Sequence, residues 1–487
     1  IMSEVKVNKI SPRTNCGTVT LGDSGDSFVI PAGATITNNG TQTGFGRTGT
    51  VDWQTTVKTS TFTAVSGEGY FVNTTSGGVT VNLPAGSAGA IVAVKDYAGT
   101  FDTNRCTINP NGSEKVNGVV ADAFLTTQGL SVTLVYIDST RGWLSVNDST
   151  DDTTGLVPAY VAATGGCVVT SGDFKIHTFF SPGTFCVSNA GNSGGSNSVD
   201  YMVVAGGGGG GQNAAFGGTS AGAGGAGGFR ESPGSASGYT ASPLGASPAT
   251  ALSVPATAYP ITVGGGGAGA NNPGPSNVNG TKGSNSSFST ITSTGGGFGG
   301  AAVPTAPGNG PGGPGGSGGG GSYGPGSPGG GSDGGTGNTP SVSPPQGQNG
   351  GNGGDPAGGS GGGAGGAGQT PCGATVGNAG DGVGTAINTA TAPGKPGGAG
   401  QIGTPGPSGP LRYFAGGGGG GAGPGGGNKA GGFGGGGTGG AASGTAATNG
   451  TDNTGGGGGG GDADDGASGA GGTGGSGIVV IRYKFQN

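Results

Sequence analysis

The sequence predicts an all-β chain whose second half is a bundle of polyglycine II helices framed by strands. Three observations carry this. Glycine makes up 133 of the 487 residues, with 27 in residues 1–200 and the other 106 in residues 201–487. Short β-branched or aromatic stretches lead into the glycine runs. Helix is excluded, because glycine costs roughly 1 kcal/mol per helical position relative to alanine.

Three regions follow in order. Residues 1–52 alternate short strands and turns, Val19-Thr20-Leu21, Phe28-Val29-Ile30 and Thr35-Ile36 among them. Strands this short close no core in one chain, so they dock on a partner or intertwine with identical chains. Residues 53–150 read as a β-sandwich-like domain. Its strands are Tyr70–Asn73, Val79–Leu83, Ile91–Lys95, Thr107–Asn109 and Ser131–Ile137, and its turns are Ser76-Gly77-Gly78, Pro84-Ala85-Gly86 and Asn111-Gly112. Trp53 and Trp143 are its candidate packing anchors. Residues 151–487 form the glycine-rich part, opening with the polar linker Asp151-Asp152-Thr153-Thr154-Gly155 and strands around Val168-Val169, Phe174–Phe180 and Phe185-Cys186-Val187.

Collagen does not fit the glycine. Its every-third-residue period holds from Gly310 through Gly319, but 206–211, 416–421 and 455–461 are solid glycine. Solid glycine can order as polyglycine II, with three residues per turn, ~3.1 Å rise and no internal hydrogen bonds. Every buried N–H and C=O must then find a partner on a neighbouring segment, and only glycine lets backbones approach that closely. Tyr201-Met202-Val203-Val204-Ala205 leads into the first run, Tyr259-Pro260-Ile261-Thr262-Val263 into Gly264–Gly267, Phe288-Ser289-Thr290-Ile291-Thr292 into Gly295–Gly297, and Leu411-Arg412-Tyr413-Phe414-Ala415 into 416–421. The chain closes on Ile478-Val479-Val480-Ile481-Arg482-Tyr483. These runs start about 58, 31 and 121 residues apart, too irregular for an exact solenoid. Between them, 230–258, 302–350 and 370–410 read as Pro/Ser/Asn-rich loops, where binding is usually placed.

Charge and motifs narrow the function. With 17 Lys+Arg against 23 Asp+Glu and a net charge of −6, no basic face exists for nucleic acid. No apolar run reaches 18 residues, and IMSEVKVNKISP carries charges where a signal peptide would be apolar. The GxGxxG at Gly222–Gly227 lies in no βαβ unit. The single His, His177, sits in a strand-like stretch with no nucleophile or carboxylate placed by sequence. The five Cys form no CxxC pair; Cys167 and Cys186 could be cross-strand neighbours or free thiols. Asp462, Asp464 and Asp465 read as a calcium-binding group or as a solvated acidic turn. No enzyme, cofactor or metal site is therefore expected.

Several motifs resemble tail-fibre proteins of marine bacteriophages. The leader Val5-Lys6-Val7-Asn8-Lys9-Ile10-Ser11-Pro12, with Gly22-Asp23-Ser24-Gly25-Asp26 and Ile30-Pro31-Ala32-Gly33-Ala34, is similar to theirs. Val79-Thr80-Val81-Asn82-Leu83-Pro84, Lys95-Asp96-Tyr97-Ala98-Gly99 and Gly142-Trp143 resemble a β-domain of such fibres. Phe179-Phe180-Ser181-Pro182-Gly183-Thr184-Phe185 and Gly475–Tyr483 resemble the glycine-rich domains of phage fibres and adhesins. The resemblance implies a homotrimer, fixed to tail or other virion proteins by residues 1–52. It also implies a virion localisation and adsorption to a host surface receptor, a glycan or an outer-membrane protein, at the far end. A virion-decorating or extracellular filament subunit without receptor binding is the alternative. An ice- or polysaccharide-binding face would need an ordered outward array, and the Thr-rich stretch 445–454 reads as irregular. Charged and aromatic side chains are scarce in the glycine half, and Arg and Tyr are enriched at interface centres. The receptor-binding candidates are thus Arg230, Tyr239, Tyr323, Arg412 and Tyr413, with Glu231 and Lys395 beside them.

Overall fold

The computed structural model describes residues 51–146 and 158–486, apart from residues 193, 214–217, 246–250, 272–277, 303–309, 325–329, 374, 393–394, 397, 399, 442–444 and 463–468, together with isolated positions before residue 51. The described residues form strands and no helix. The short strands expected before residue 51, and Asp464 and Asp465, lie outside the described residues or at their margins.

Residues 52–145 carry two sheets. A five-stranded sheet runs Asp52–Lys58, Glu68–Val72, Ile91–Asp96, Ser131–Asp138, Gly142–Ser145. A four-stranded one runs Phe62–Thr63, Val79–Asn82, Cys106–Asn109, Ala123–Leu125. Up to Cys106 the chain alternates between the two, which makes neighbours within each sheet parallel. Alternation in sequence sets the core: along Val79-Thr80-Val81-Asn82 the valines are buried and their neighbours are half-buried. Trp143, Phe101, Leu125, Leu134 and Ile108 fill the space between the sheets. The indole N–H of the buried Trp143 donates to Glu114 Oε2 at 3.1 Å, and Glu114 Oε1 accepts the Gly86 N–H at 2.8 Å. The buried Asp96 carboxylate holds the turn after its strand. Burial alone would raise its pKa, but the N–H groups of Gly129, Phe101, Thr100 and Gly99 outweigh that and hold it below the usual range.

Residues 161–484 are organised by two further sheets. One runs Val161–Thr164, Gly183–Ala190, Ala258–Thr262, Ser286–Phe288, Ile291–Ser293. The other places the closing strand Ile478–Lys484 centrally, between Phe174–Phe179 and Ser198–Val204. That position explains its unbroken Ile-Val-Val-Ile, buried on both faces. Val479, Ile481 and Tyr483 pack with Phe185 and Phe288 on one side; Ile478 and Val480 pack with Met202, Val204 and Phe414 on the other.

From these sheets extended segments run out and return, with no hydrogen bond inside a segment. The first run shows the rule. Gly206 and Gly209 donate to Ser284 and Thr281, Gly207 and Gly210 to Gly475 and Gly472, and Gly208 and Gly211 to Gly225 and Gly222, all at 2.8–3.0 Å. Successive N–H groups thus address three different neighbours and return to the first every third residue. The runs 416–421 and 455–461 follow the rule in part: Gly416 and Gly419 donate to Gly434 and Gly437, Gly418 and Gly421 to Gly224 and Ala221, Gly457 and Gly460 to Gly416 and Gly419, and Gly458 and Gly461 to Gly208 and Gly211, while the Ser360 hydroxyl accepts from Gly420 and the Thr454 hydroxyl from Gly456. One orphaned N–H in such a block would cost about 1–3 kcal/mol.

The three-residue period also decides what is not glycine. In 310–316, Pro311 and Pro314 are exposed while Gly312, Gly313 and Gly315 are buried. Proline has no N–H to offer and needs none on the outside. At the margins, side-chain oxygens replace the missing next segment. Asn349 and Asn352 accept the N–H groups of Gly337 and Gly334 at 2.9 and 2.8 Å. Asn449 and Asp452 do so for Thr473 and Ser476 at 2.9 and 3.2 Å, and Thr448 for Thr438 at 2.7 Å. Much of 302–350 and 370–385, expected as loop, is therefore bundle. Thr445, Thr448 and Thr451, expected to be irregular, recur outward at every third residue.

Close approach makes the inner glycines irreplaceable. A Cβ at Gly418 would lie 2.1 Å from the Gly458 carbonyl oxygen, whereas one at Gly265 would meet nothing within 4 Å. Gly418→Val should destabilise the glycine-rich part by more than ~1 kcal/mol, while Gly265→Ala should stay within about 0.5 kcal/mol or stabilise slightly. Thermal melting of both variants checks this; equal melting temperatures would contradict it.

Candidate functional site

The extended segments have two ends, and their chemistry differs. Segment 205–213 leaves the Ser198–Val204 strand, and 220–228 returns antiparallel beside it into Phe229–Glu231. Ser220 and Phe229 thus lie at opposite ends of one extended segment. Described residues flanking several connections gather at the Ser220 end. Backbone bridges join Asn213 to Ala302 and Gly469, and Ser220 to Tyr323 and Asp462. The Ser220 hydroxyl bonds the carbonyl oxygens of Pro356 and Ala422, at 2.9 and 3.1 Å. Four other parts of the chain therefore converge on one buried serine. Thr219 donates to Asn213 Oδ1 at 2.6 Å, and Asn213 Nδ2 returns a bond to the Thr219 carbonyl, clamping the first turn. Above this base the 423–428 turn exposes Pro424, Gly425 and Asn428, and the 371–373 turn exposes Cys372.

The sequence candidates divide between the ends. Tyr323 lies at the Ser220 end, 9% exposed, its pKa raised by burial and by a hydrogen bond with Asp355. The other four lie at the sheet end. Arg230 is on the Phe229–Glu231 strand, opposite Val203. Arg412 donates to the carbonyl oxygens of Ile402 and Gly403, both at 2.7 Å, and burial lowers its pKa. Tyr413 is 9% exposed and pairs through its backbone with Thr404. Tyr239 donates to the Ser232 carbonyl at 3.2 Å; burial, then the Glu231 charge, raises its pKa.

Of these sheet-end residues Tyr239 borders a buried polar network that composition alone did not reveal. Asp200 accepts from the Ser232 and Ser237 hydroxyls at 2.8 and 2.5 Å. Glu231 accepts the Ser242 N–H at 2.8 Å and the Thr385 hydroxyl. The Arg482 guanidinium lies over the Phe174 and Tyr239 rings at 4.6 and 5.7 Å and donates to the Ile387 carbonyl. The network pins Ser232, Ser237, Tyr239 and Ser242 of one connection, and Thr385 and Ile387 of another, onto the central sheet. A sequence signal existed: acids interrupting apolar strands at Asp200 and Glu231, the second followed by serine-rich chain.

His177 is buried, its ring nitrogens 2.7 Å from the Gly165 carbonyl oxygen and 3.0 Å from the Tyr483 hydroxyl; burial lowers its pKa. Cys106, Cys167, Cys186 and Cys372 are free thiols. Among the described residues no three His, Cys, Asp or Glu side chains come together as a metal group.

The model of a glycine-rich domain family covers residues 181–484, more than half of the chain. No curated protein matches the sequence.

Burial pushes the Glu231 carboxyl up to about 7 from an ordinary 4.5. The folded state therefore holds a proton that the unfolded chain has released between these values, and the stability from this group is lost as pH rises from about 4.5 to 7. Glu231→Gln should gain melting temperature relative to the parent as pH rises through this window, with the difference level above about 7. Paired melts from pH 4 to 8 test this; a difference independent of pH would contradict it.

Proposed function

The chain belongs to the glycine-rich domain family, and from that premise we propose that it is a non-enzymatic structural fibre of a bacteriophage tail. In this reading residues 205–477 are a bundle of polyglycine II helices. In 206–211 the return of each lateral hydrogen bond to the same neighbour after three residues supports that geometry. The fibre is a homotrimer, held to other virion proteins by residues 1–52, with residues 53–150 as a spacer. The turns at the Ser220 end contact a host surface receptor, a glycan or an outer-membrane protein.

The observation that carries the reading is the contrast between the two ends. Connections at the sheet end are sealed by the Asp200, Glu231 and Arg482 network. At the other end, turns stand on a common base around Ser220, on a laterally bonded block. A rigid scaffold carrying clustered turns is where recognition is usually built. Of the five sequence candidates, Tyr323 alone sits at that end; Arg412, Tyr413 and Tyr239 are bonded within the framework, and Arg230 lies on its Phe229–Glu231 strand.

The test uses the full chain, labelled and incubated with a panel of marine bacterial isolates. A seven-residue insertion after Gly425 should abolish cell retention without lowering the melting temperature, while the same insertion after Ser408 should leave retention unchanged. Flow cytometry reads both. No retention on any isolate would overturn the adsorption reading and favour the filament alternative. Loss only with the Ser408 insertion would move the contact to the sheet end.

A further inference from the structure

The asparagines at the margins of the bundle carry a chemical hazard. An Asn followed by Gly deamidates readily, because the unbranched glycine lets its backbone nitrogen reach the asparagine Cγ. The nitrogen gives up its proton and bonds to Cγ, the Cγ–Nδ2 bond breaks, and the side-chain nitrogen leaves as ammonia with a proton gained. Water then opens the cyclic imide at either carbonyl, leaving aspartate or isoaspartate. In isoaspartate the main chain runs through Cβ and Cγ and is one carbon longer. A segment bonded to its neighbours with a three-residue period loses register on gaining that atom.

Six such pairs lie among the described residues: Asn111-Gly112, Asn117-Gly118, Asn279-Gly280, Asn349-Gly350, Asn352-Gly353 and Asn449-Gly450. The last four belong to the bundle, and each is held twice by one neighbouring segment. The glycine N–H groups of 280, 350, 353 and 450 donate to the carbonyl oxygens of Gly299, Gly335, Ser332 and Thr473, at 3.2, 3.0, 2.9 and 2.8 Å. The asparagine Oδ1 atoms of 279, 349, 352 and 449 accept from the N–H groups of Ala301, Gly337, Gly334 and Thr473, at 2.7, 2.9, 2.8 and 2.9 Å. In three of the four the acceptor and the donor stand two residues apart on that segment; at Asn449-Gly450 both are Thr473. For the glycine nitrogen to attack Cγ, it must leave one of these bonds and the side chain must leave the other.

The two pairs outside the bundle differ from each other. Gly118 donates to the Arg141 carbonyl oxygen at 2.8 Å, so its nitrogen is also engaged. Asn111 and Gly112 are exposed, and neither the Asn111 side chain nor the Gly112 N–H has a hydrogen-bond partner among the described residues. Gly112 sits at φ +58°, where a Cβ would meet nothing within 4 Å.

We propose that Asn111 is a site of spontaneous deamidation, and that the two-bond clamp keeps the bundle asparagines Asn279, Asn349, Asn352 and Asn449 unmodified. The lateral bonds that order the glycine segments thus also protect their chemistry. The cost of ageing falls on the turn at Asn111, whose carbonyl oxygen accepts the N–H of Glu114 at 3.1 Å, beside the carboxylate that holds Trp143.

The test needs no substitution. The full chain is aged in mildly alkaline buffer and digested, and its peptides are mapped by mass spectrometry with fragmentation that separates aspartate from isoaspartate. Asn111 should convert first, with Asn279, Asn349, Asn352 and Asn449 at least about tenfold slower, because each must await local opening. In urea sufficient to unfold the chain, all five should convert at comparable rates. Bundle asparagines that convert as fast in the folded chain as in urea would overturn the clamp. An Asn111 no faster than those four in the folded chain would overturn the modification site.

Discussion

Lateral backbone hydrogen bonding is the constraint on which the glycine-rich half depends. An α-helix satisfies its own amides and a strand needs at most two neighbours. The segment 206–211 needs three, drawn from positions as distant in sequence as Gly225, Ser284 and Gly475. No segment is therefore ordered alone, and ordering a glycine backbone is entropically expensive. The framework sheets offset that cost by fixing where segments start. Val204 and Ile478, opposed in one sheet, launch 205–213 and receive 469–477 in register.

The same constraint separates the two ends of the domain. At the sheet end the chain must pass from strand to glycine segment, and its longer connections lie over a central sheet that is apolar on both faces. Buried acids and hydroxyls, with the Arg482 guanidinium stacked between Phe174 and Tyr239, hold them there. At the far end the described residues beside the connections are held by backbone bridges and by the Ser220 hydroxyl rather than by buried charges.

Much of the framework was legible in sequence. The strands expected at Val79–Leu83, Ile91–Lys95 and Ser131–Ile137 fall within a residue or so of those observed, because one buried face enforces period-two alternation. Asp52–Lys58 was missed: mostly polar and largely exposed, it shows no such alternation. Within the bundle, solid glycine was the visible signal, and segments carrying Pro, Asn or Thr were read as loops. Period three is the correct filter there. Asn349 and Asn352, or Pro311 and Pro314, mark the outward positions of segments whose intervening residues are glycine or otherwise turned inward. The site candidates were chosen by residue type, and type did not distinguish braces such as Arg412 from groups free to meet a ligand. That distinction lives in long-range contacts, which the local sequence does not encode.

Amide hydrogen exchange on the full chain tests the central claim most directly. If the glycine runs are laterally locked, the amides of 206–211, 416–421 and 455–461 exchange orders of magnitude more slowly than those of an unstructured peptide, and about as slowly as Ile478–Lys484. The exposed turn at Gly425 should exchange fast in the same experiment. Free-peptide rates throughout the three runs, with the closing strand still protected, would show that the glycine forms no block.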